Sequence, residues 1–307
     1  MQTVENETNP VPEKPKRLKR HIMLFVALIA LALMTVGELI SALALSFLTP
    51  AMNALGDGMA FLSETYLSFF GIDLIVVLYC LWAEKPIARN FGAARRGGGR
   101  GNTLRFLLAG LLAGFVMNAL CVLTAYLHGD IDLSLGTFRP GYLLFALVAV
   151  GIQSTAEELV TRGYVMGALR ERYGVWVAVV FNALFFASLH LFNPGVTVLA
   201  IVDIALFGAA LSLAMVYLDS IWFCAAVHTA WNFTQNLIFG LPNSGIVAQS
   251  SLFRLEGARD SIFYNTGFGV ESTVMAIVTE CVLAIGVVLW AKRREANKPV
   301  SAGEEQV

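Results

Sequence analysis

The chain has 307 residues, of which 57% are hydrophobic and only 14% are charged, and its formal net charge is −1. Soluble domains carry about 25% charged residues, so this composition excludes an ordinary soluble protein and predicts a polytopic membrane protein. The four cysteines lie inside apolar segments without paired spacing, which favours reduced core residues over disulfides or metal ligands.

The first stretch of the chain, residues 1–20, is polar and ends in a basic cluster, so we predict a disordered cytosolic tail. Eight apolar segments follow, each close to or above the roughly 20 residues that cross a bilayer as a helix. We therefore expect an all-α fold, with a transmembrane helical domain over residues 21–292 and a second disordered cytosolic tail over residues 293–307. The eight segments cover residues 22–49, 66–83, 104–128, 141–165, 175–191, 197–217, 221–239 and 272–291, and those at 175–191 and 221–239 are short and contain polar residues.

The basic residues test the topology of this arrangement. If the N-terminus is cytoplasmic and eight helices cross the membrane, every lysine and arginine except Arg139, Arg254 and Arg259 falls on the cytoplasmic side. Such an asymmetry is what the positive-inside rule demands. We therefore expect both termini to be cytoplasmic, in a multi-pass protein of the cell (plasma) membrane.

The fourth apolar segment ends in charged residues, with the sequence T-A-E-E-L-V-T-R at residues 155–162. Charged side chains at membrane depth are costly and usually functional. Glu158 and Arg162 stand four residues apart with the acid first, which favours an ion pair on one helix face. Glu157 points about 100° away around the helix and has no evident local partner, so we interpret it as the chemically active acid.

Two further segments carry polar side chains that could meet Glu157. The fourth and fifth segments form a hairpin near Tyr173, which places His190 at nearly the same depth as Glu157. A lone membrane histidine is often only a hydrogen-bonding residue between helices, and the matched depth favours a functional role here. His228 and Asn232 are spaced to face one neighbour, either as donors to a developing oxyanion or as a polar packing pair.

The order of these motifs resembles one family. The patterns E-E-x-x-x-R, F-x-x-x-H and H-x-x-x-N are similar to those of the CPBP intramembrane proteases, also called the type II CAAX protease or ABI family. The resemblance covers about residues 141–240, the expected catalytic core, and implies a helical fold with a polar cavity inside the bilayer that hydrolyses peptide bonds. The matching residues are Glu157, Glu158, Arg162, Phe186, His190, His228 and Asn232.

The resemblance also implies roles for the motif residues. Glu157 would be the general base that takes a proton from the attacking water, and His190 would orient that water and pass the proton to the leaving amine. His228 and Asn232 would stabilise the oxyanion, while Glu158 and Arg162 would support the end of the helix. Residues 267–271 look like a Gly-and-Glu stretch of some family members, and the roles of Glu271 and of the 240–271 loop stay open.

No cofactor is firmly expected, although one zinc ion is an alternative. A glutamate and two histidines match the ligand set of catalytic zinc sites, and the family is often labelled metalloprotease. Glu157, His190 and His228 would then be the ligands. The H-E-x-x-H motif of soluble zinc proteases is absent, so we favour a glutamate-dependent mechanism without metal.

Two other functions compete with an intramembrane endopeptidase. Buried acids and histidines also serve proton-coupled transporters, although no internal repeat supports that class. A non-catalytic membrane immunity or scaffold protein is the other alternative. The partners expected are a membrane-associated protein or peptide substrate and the lipid bilayer, with no nucleic acid; the substrate, its prenylation and the oligomeric state are not specified.

Overall fold

The structure is a computed structural model that describes residues 22–56 and 58–297. The expected N-terminal tail lies outside the described residues, as do residues 298–307 of the expected C-terminal tail.

The fold is mostly helical. The helices are α1 (Met23–Ala54), α2 (Met59–Thr65), α3 (Phe70–Ala83), α4 (Lys85–Arg89), α5 (Leu104–His128), α6 (Pro140–Glu158), α7 (Met166–Tyr173), α8 (Val175–Ser188), α9 (Val198–Leu218), α10 (Ile221–Phe233) and α11 (Val274–Ala296). Among the described residues, two π-helical segments cover Leu159–Val165 and Thr234–Ile238. Three 3₁₀ turns of the described part cover Leu67–Phe69, Ala94–Arg96 and Val270–Ser272, and its strands are β1 (Ile131–Leu135) and β2 (Phe253–Ala258).

Six helical spans within the described residues are long and apolar enough to cross a membrane, against the eight that we expected. The two short segments of the prediction account for the difference. Helix α8 has 14 residues, and α10 has 13 before its π-helical continuation. Helix α8 also ends at Ser188, so His190 lies in the turn after the helix and not on it. The last helix runs to Ala296, past residue 292, where we placed the end of the transmembrane domain. The six spans are Met23–Ala54, Met59–Ala83, Leu104–His128, Pro140–Tyr173, Val198–Leu218 and Val274–Arg294.

A small antiparallel sheet marks one end of the helical bundle. Strands β1 and β2 pair there, so the connection between α5 and α6 and the loop after α10 lie at the same end. We call this the sheet end. The expectation of an all-α fold missed these strands, which lie in segments that we treated as loops. At the opposite end, Arg100 bonds Asp219 through Nε and Oδ2 at 3.1 Å, where the loop before α5 meets the α9–α10 connection.

Helix α10 lies at the centre of the bundle, packed against α5, α6 and α9. Two glycines of α5 allow the closest of these contacts. A Cβ atom on Gly110 would lie 2.7 Å from the carbonyl oxygen of Phe223, and one on Gly114 would lie 2.2 Å from that of Val227. Small residues four apart let two membrane helices approach closely. Because Val227 directly precedes His228, the glycines of α5 determine where α10 places its histidine.

Candidate active site

The two acids at the end of α6 have different surroundings. Glu158 Oε1 accepts a hydrogen bond from Arg162 Nη1 at 3.0 Å, and both side chains are fully buried. The ion pair expected from their spacing is therefore present. Arg162 also donates to Thr161 Oγ1 at 2.8 Å and to the Gly208 carbonyl at 3.3 Å, and its guanidinium lies 4.4 Å from the centre of the Phe186 ring. The π-helical segment begins directly after Glu158, and such segments are frequent at functional sites.

Glu157 keeps one carboxylate oxygen free. Its Oε1 accepts a hydrogen bond from Gln153 Nε2 at 2.6 Å, one helical turn earlier, so the expectation of no local partner was wrong. Its Oε2 is buried and has no hydrogen-bond partner among the described residues. The closest nitrogen of His228, Nε2, lies 3.6 Å from Oε2, which is too long for a direct hydrogen bond. Glu157 Oε2 can therefore accept a hydrogen bond from a water molecule.

His228 is held by Glu158 and two aromatic rings. Its Nδ1 lies 2.9 Å from Glu158 Oε1. A carboxylate oxygen of an ion pair accepts hydrogen bonds, so Nδ1 carries the hydrogen and donates it. The imidazole packs edge-on against the rings of Phe186 and Phe207, with centroid distances of 5.9 and 5.5 Å. These contacts direct Nε2 towards Glu157.

Asn232 faces the same helix as His228, as their spacing of four residues indicates. Its Nδ2 donates to Gln153 Oε1 at 3.2 Å, and its Oδ1 accepts from Asn243 Nδ2 at 3.2 Å. Gln153 therefore bridges Glu157 and Asn232. Our sequence reasoning missed Gln153, although its position four residues before Glu157 on the same helix face was a usable signal.

His190 reaches the site from the turn after α8. Its Nδ1 lies 2.9 Å from the carbonyl oxygen of Phe186, which can only accept, so Nδ1 donates and Nε2 is left as an acceptor in the neutral ring. His190 and His228 line one cavity of about 20 Å³, which has room for about one water molecule. Within the described part of the chain, no hydrogen bond or ion pair joins His190 to Glu157.

Three acids line this cavity, namely Asp203, Glu271 and Glu280. Asp203 Oδ1 and Glu280 Oε2 are buried and lack hydrogen-bond partners among the described residues. These acids come from α9, α11 and the loop before α11, so no spacing within one segment could have grouped them.

Glu271, whose role the sequence left open, is one of the most heavily hydrogen-bonded groups around the cavity. Its Oε1 accepts from Trp231 Nε1 at 3.1 Å and from Asn243 Nδ2 at 2.7 Å. Its Oε2 accepts from the backbone nitrogen and the hydroxyl of Ser244 at 2.6 and 3.0 Å. The carboxylate thus ties the loop after α10 to the helix that carries His228 and Asn232.

Residues 139–234 match the family model described as Type II CAAX prenyl endopeptidase Rce1-like. This segment is similar to that family. It agrees with the CPBP resemblance and contains all seven motif residues. The match supports an intramembrane CAAX endopeptidase activity in general and a membrane-associated substrate. No curated protein matches the chain.

The side chains of the Rce1-like segment do not form a metal centre. Within the residues that the structure describes, no group of three or more His, Cys, Asp and Glu side chains is placed to hold a metal ion. The arrangement therefore does not support the zinc alternative with Glu157, His190 and His228 as ligands.

Proposed function

We propose that the protein is an intramembrane endopeptidase that hydrolyses peptide bonds of membrane-associated proteins or peptides, with Glu157 as the general base. The observation that carries this proposal is the free Oε2 atom of Glu157, buried beside His228. A carboxylate that keeps an unshared acceptor in a buried polar site can bind a water molecule and remove its proton as the water attacks a carbonyl carbon.

The two oxygens of Glu157 have separate tasks in this proposal. Oε1 is fixed by the hydrogen bond from Gln153, which limits rotation of the carboxylate. Oε2 takes the proton of the water. The resulting hydroxide adds to the scissile carbonyl and forms a tetrahedral intermediate, whose negative charge needs donors within about 3 Å.

His228 and Asn232 would supply these donors. Glu158 holds Nδ1–H of His228, so a ring with hydrogens on both nitrogens can donate from Nε2 to the oxyanion. Asn232 uses one amide hydrogen for Gln153 and keeps the other for the same oxygen. Glu158 and Arg162 then act as support: they orient the histidine without contacting the substrate.

Collapse of the intermediate requires a proton on the leaving amine. In this proposal His190 passes that proton from Glu157 to the amine through its Nε2, since Nδ1 is fixed by the Phe186 carbonyl. The cavity that His190 and His228 share has room for about one water molecule, which could pass the proton on to His190. The C–N bond then breaks and releases two peptides.

The test is a peptidase assay on detergent-purified protein, with mass spectrometry locating the cut in prenylated and unprenylated peptides. Glu157→Gln should lower the rate about 10²- to 10⁴-fold, the range that a general base contributes. Glu256→Gln is the matched control, because Glu256 is an exposed carboxylate on β2. Full activity of Glu157→Gln would contradict the proposal and favour the transporter or the non-catalytic scaffold.

We also propose that the protein lies in the plasma membrane with both termini in the cytoplasm. The distribution of charge supports this orientation, since Arg139, Arg254 and Arg259 all lie near the sheet end, and Arg100 lies at the other. Single cysteines at positions 100 and 254 can be labelled in intact cells with a reagent that does not cross membranes. We expect labelling at position 254; labelling at position 100 instead would reverse the orientation.

A further inference from the structure

The cavity between the two histidines is too small for a substrate. Its volume of about 20 Å³ fits a water molecule, whereas a peptide unit has several times as many heavy atoms. A peptide bond can therefore reach the space beside His190 and His228 only if one wall of the cavity moves. The walls contributed by α8, α9, α10 and α11 belong to packed helices.

The lining residues that lie outside these helices are His190, Glu271 and Ser244, and Ser244 belongs to a tight turn. Asn243 and Ile246 exchange two backbone hydrogen bonds of 2.8 Å. Between them, Ser244 and Gly245 have φ angles of 48° and 86°, both in the left-handed region, as in the type I′ turns of tight hairpins. We call these four residues turn 243–246. Ser244 lines the small cavity.

A larger groove lies on the other side of this turn. It measures about 810 Å³ and is lined by Pro242 and Val247, which flank turn 243–246, and by residues of β2. The segment between α10 and β2 therefore lines both the groove and the catalytic cavity, and turn 243–246 is the part of it that reaches the cavity, through Ser244.

Turn 243–246 is attached mainly by hydrogen bonds. Asn243 and Ser244 donate to Glu271, and the Ser244 carbonyl accepts from Asn193 Nδ2 at 3.0 Å. The Ile246 carbonyl accepts from Asn236 Nδ2 at 2.9 Å. Water can replace these hydrogen bonds when the turn opens, whereas movement of a packed helix would also separate buried apolar side chains.

We propose that the 810 Å³ groove binds an extended peptide segment of the substrate and that turn 243–246 is the gate between this groove and the catalytic cavity. The proposal rests on the proposed endopeptidase function. The charged residues that line the groove are Arg139 and Arg254. The peptide segment that fits this charge carries an acidic side chain close to the scissile bond.

The gate can be tested without peptidase activity. Ile204 lines the small cavity and is 6% exposed, so a cysteine there reports access from water. The background carries Cys281→Ser, because the other three described cysteines are buried. Asn243→Ala removes the bonds from the turn to Glu271 and Asn232.

We expect Asn243→Ala to speed labelling of Ile204→Cys by a water-soluble maleimide about tenfold or more, because it removes two hydrogen bonds that hold the turn closed, one of them to a carboxylate. Glu256→Ala is the control, since it removes a bond to Ser134 at the sheet end and away from the cavity. Equal labelling rates with and without Asn243→Ala would overturn the gate, whatever the peptidase assay gives.

The groove is tested by reversing its charge. Two peptides that differ only in a Glu or a Lys beside the scissile bond are compared by kcat/KM. The wild type should prefer the Glu peptide, and Arg254→Glu should shift the ratio about tenfold towards the Lys peptide. Arg254 is exposed, so this variant should fold, and Arg105→Glu, at the opposite end of the bundle, is the control. A ratio unchanged by Arg254→Glu would overturn the assignment of the groove.

Discussion

The adjacent acids Glu157 and Glu158 should respond very differently to the same substitution. Glu158→Gln leaves the guanidinium of Arg162 buried without its carboxylate partner. Among the described residues, Glu158 is the charged group that contacts Arg162, and its remaining contacts are a hydroxyl, a backbone carbonyl and an aromatic ring. Removal of one member of a buried ion pair costs about 3–5 kcal/mol. We expect a loss of this size in the free energy of unfolding.

Glu157→Gln should cost much less stability. The side chain of Glu157 is 12% exposed, and the group that donates to it is the neutral amide of Gln153. The hydrogen bond from Gln153 to this carboxylate contributes about 1.5–3 kcal/mol, and the amide oxygen that Glu157→Gln introduces can still accept it, so only part of this free energy is lost. Glu157→Gln should therefore remove activity while the protein stays folded, whereas Glu158→Gln should reduce both activity and stability, because His228 also loses its charged partner.

The assay is unfolding of the purified protein by titration with a denaturing detergent, followed by circular dichroism. The double variant Glu158→Gln/Arg162→Met removes both charges and should recover most of the stability lost by Glu158→Gln alone. Activity should not return, since His228 still lacks a carboxylate. The reasoning fails if Glu157→Gln and Glu158→Gln unfold at the same detergent concentration, or if the double variant is less stable than Glu158→Gln.

Three other outcomes follow from the structure. Gly114→Leu should lower activity about 100-fold, because the leucine side chain would push α10, and His228 with it, away from α5. Gly286 has open space around it, so Gly286→Leu should leave activity unchanged. Equal effects of the two substitutions on activity would contradict this account. Gln153→Leu should lower kcat about 10- to 100-fold with little change in KM, because it removes the hydrogen bond that fixes the orientation of the Glu157 carboxylate. An unchanged kcat would show that the Gln153 bridge is dispensable for catalysis. Prolonged treatment with a chelator should leave peptide cleavage unchanged, since the described residues offer no three-ligand group; stoichiometric zinc lost together with activity would refute this.

The sequence was sufficient where the decisive interactions are local. Composition and segment length predicted a multi-pass helical protein, because the bilayer requires long apolar helices. The spacing of four residues predicted the Glu158–Arg162 pair and the common direction of His228 and Asn232, because the pitch of a helix fixes which side chains share a face. The three motifs also predicted the family, and the match over residues 139–234 agrees with it.

The tertiary structure decided everything that depends on contacts between distant segments. Spacing along a helix gives the direction of a side chain but not the neighbour that it meets, which depends on how closely the helices pack. Here the glycines of α5 set the position of α10, and the 240–271 loop brings Asn243 to Glu271. The cavity acids, the sheet at one end and the turn over the site arise in this way, since each joins residues far apart in the chain, and no local pattern encodes such a contact.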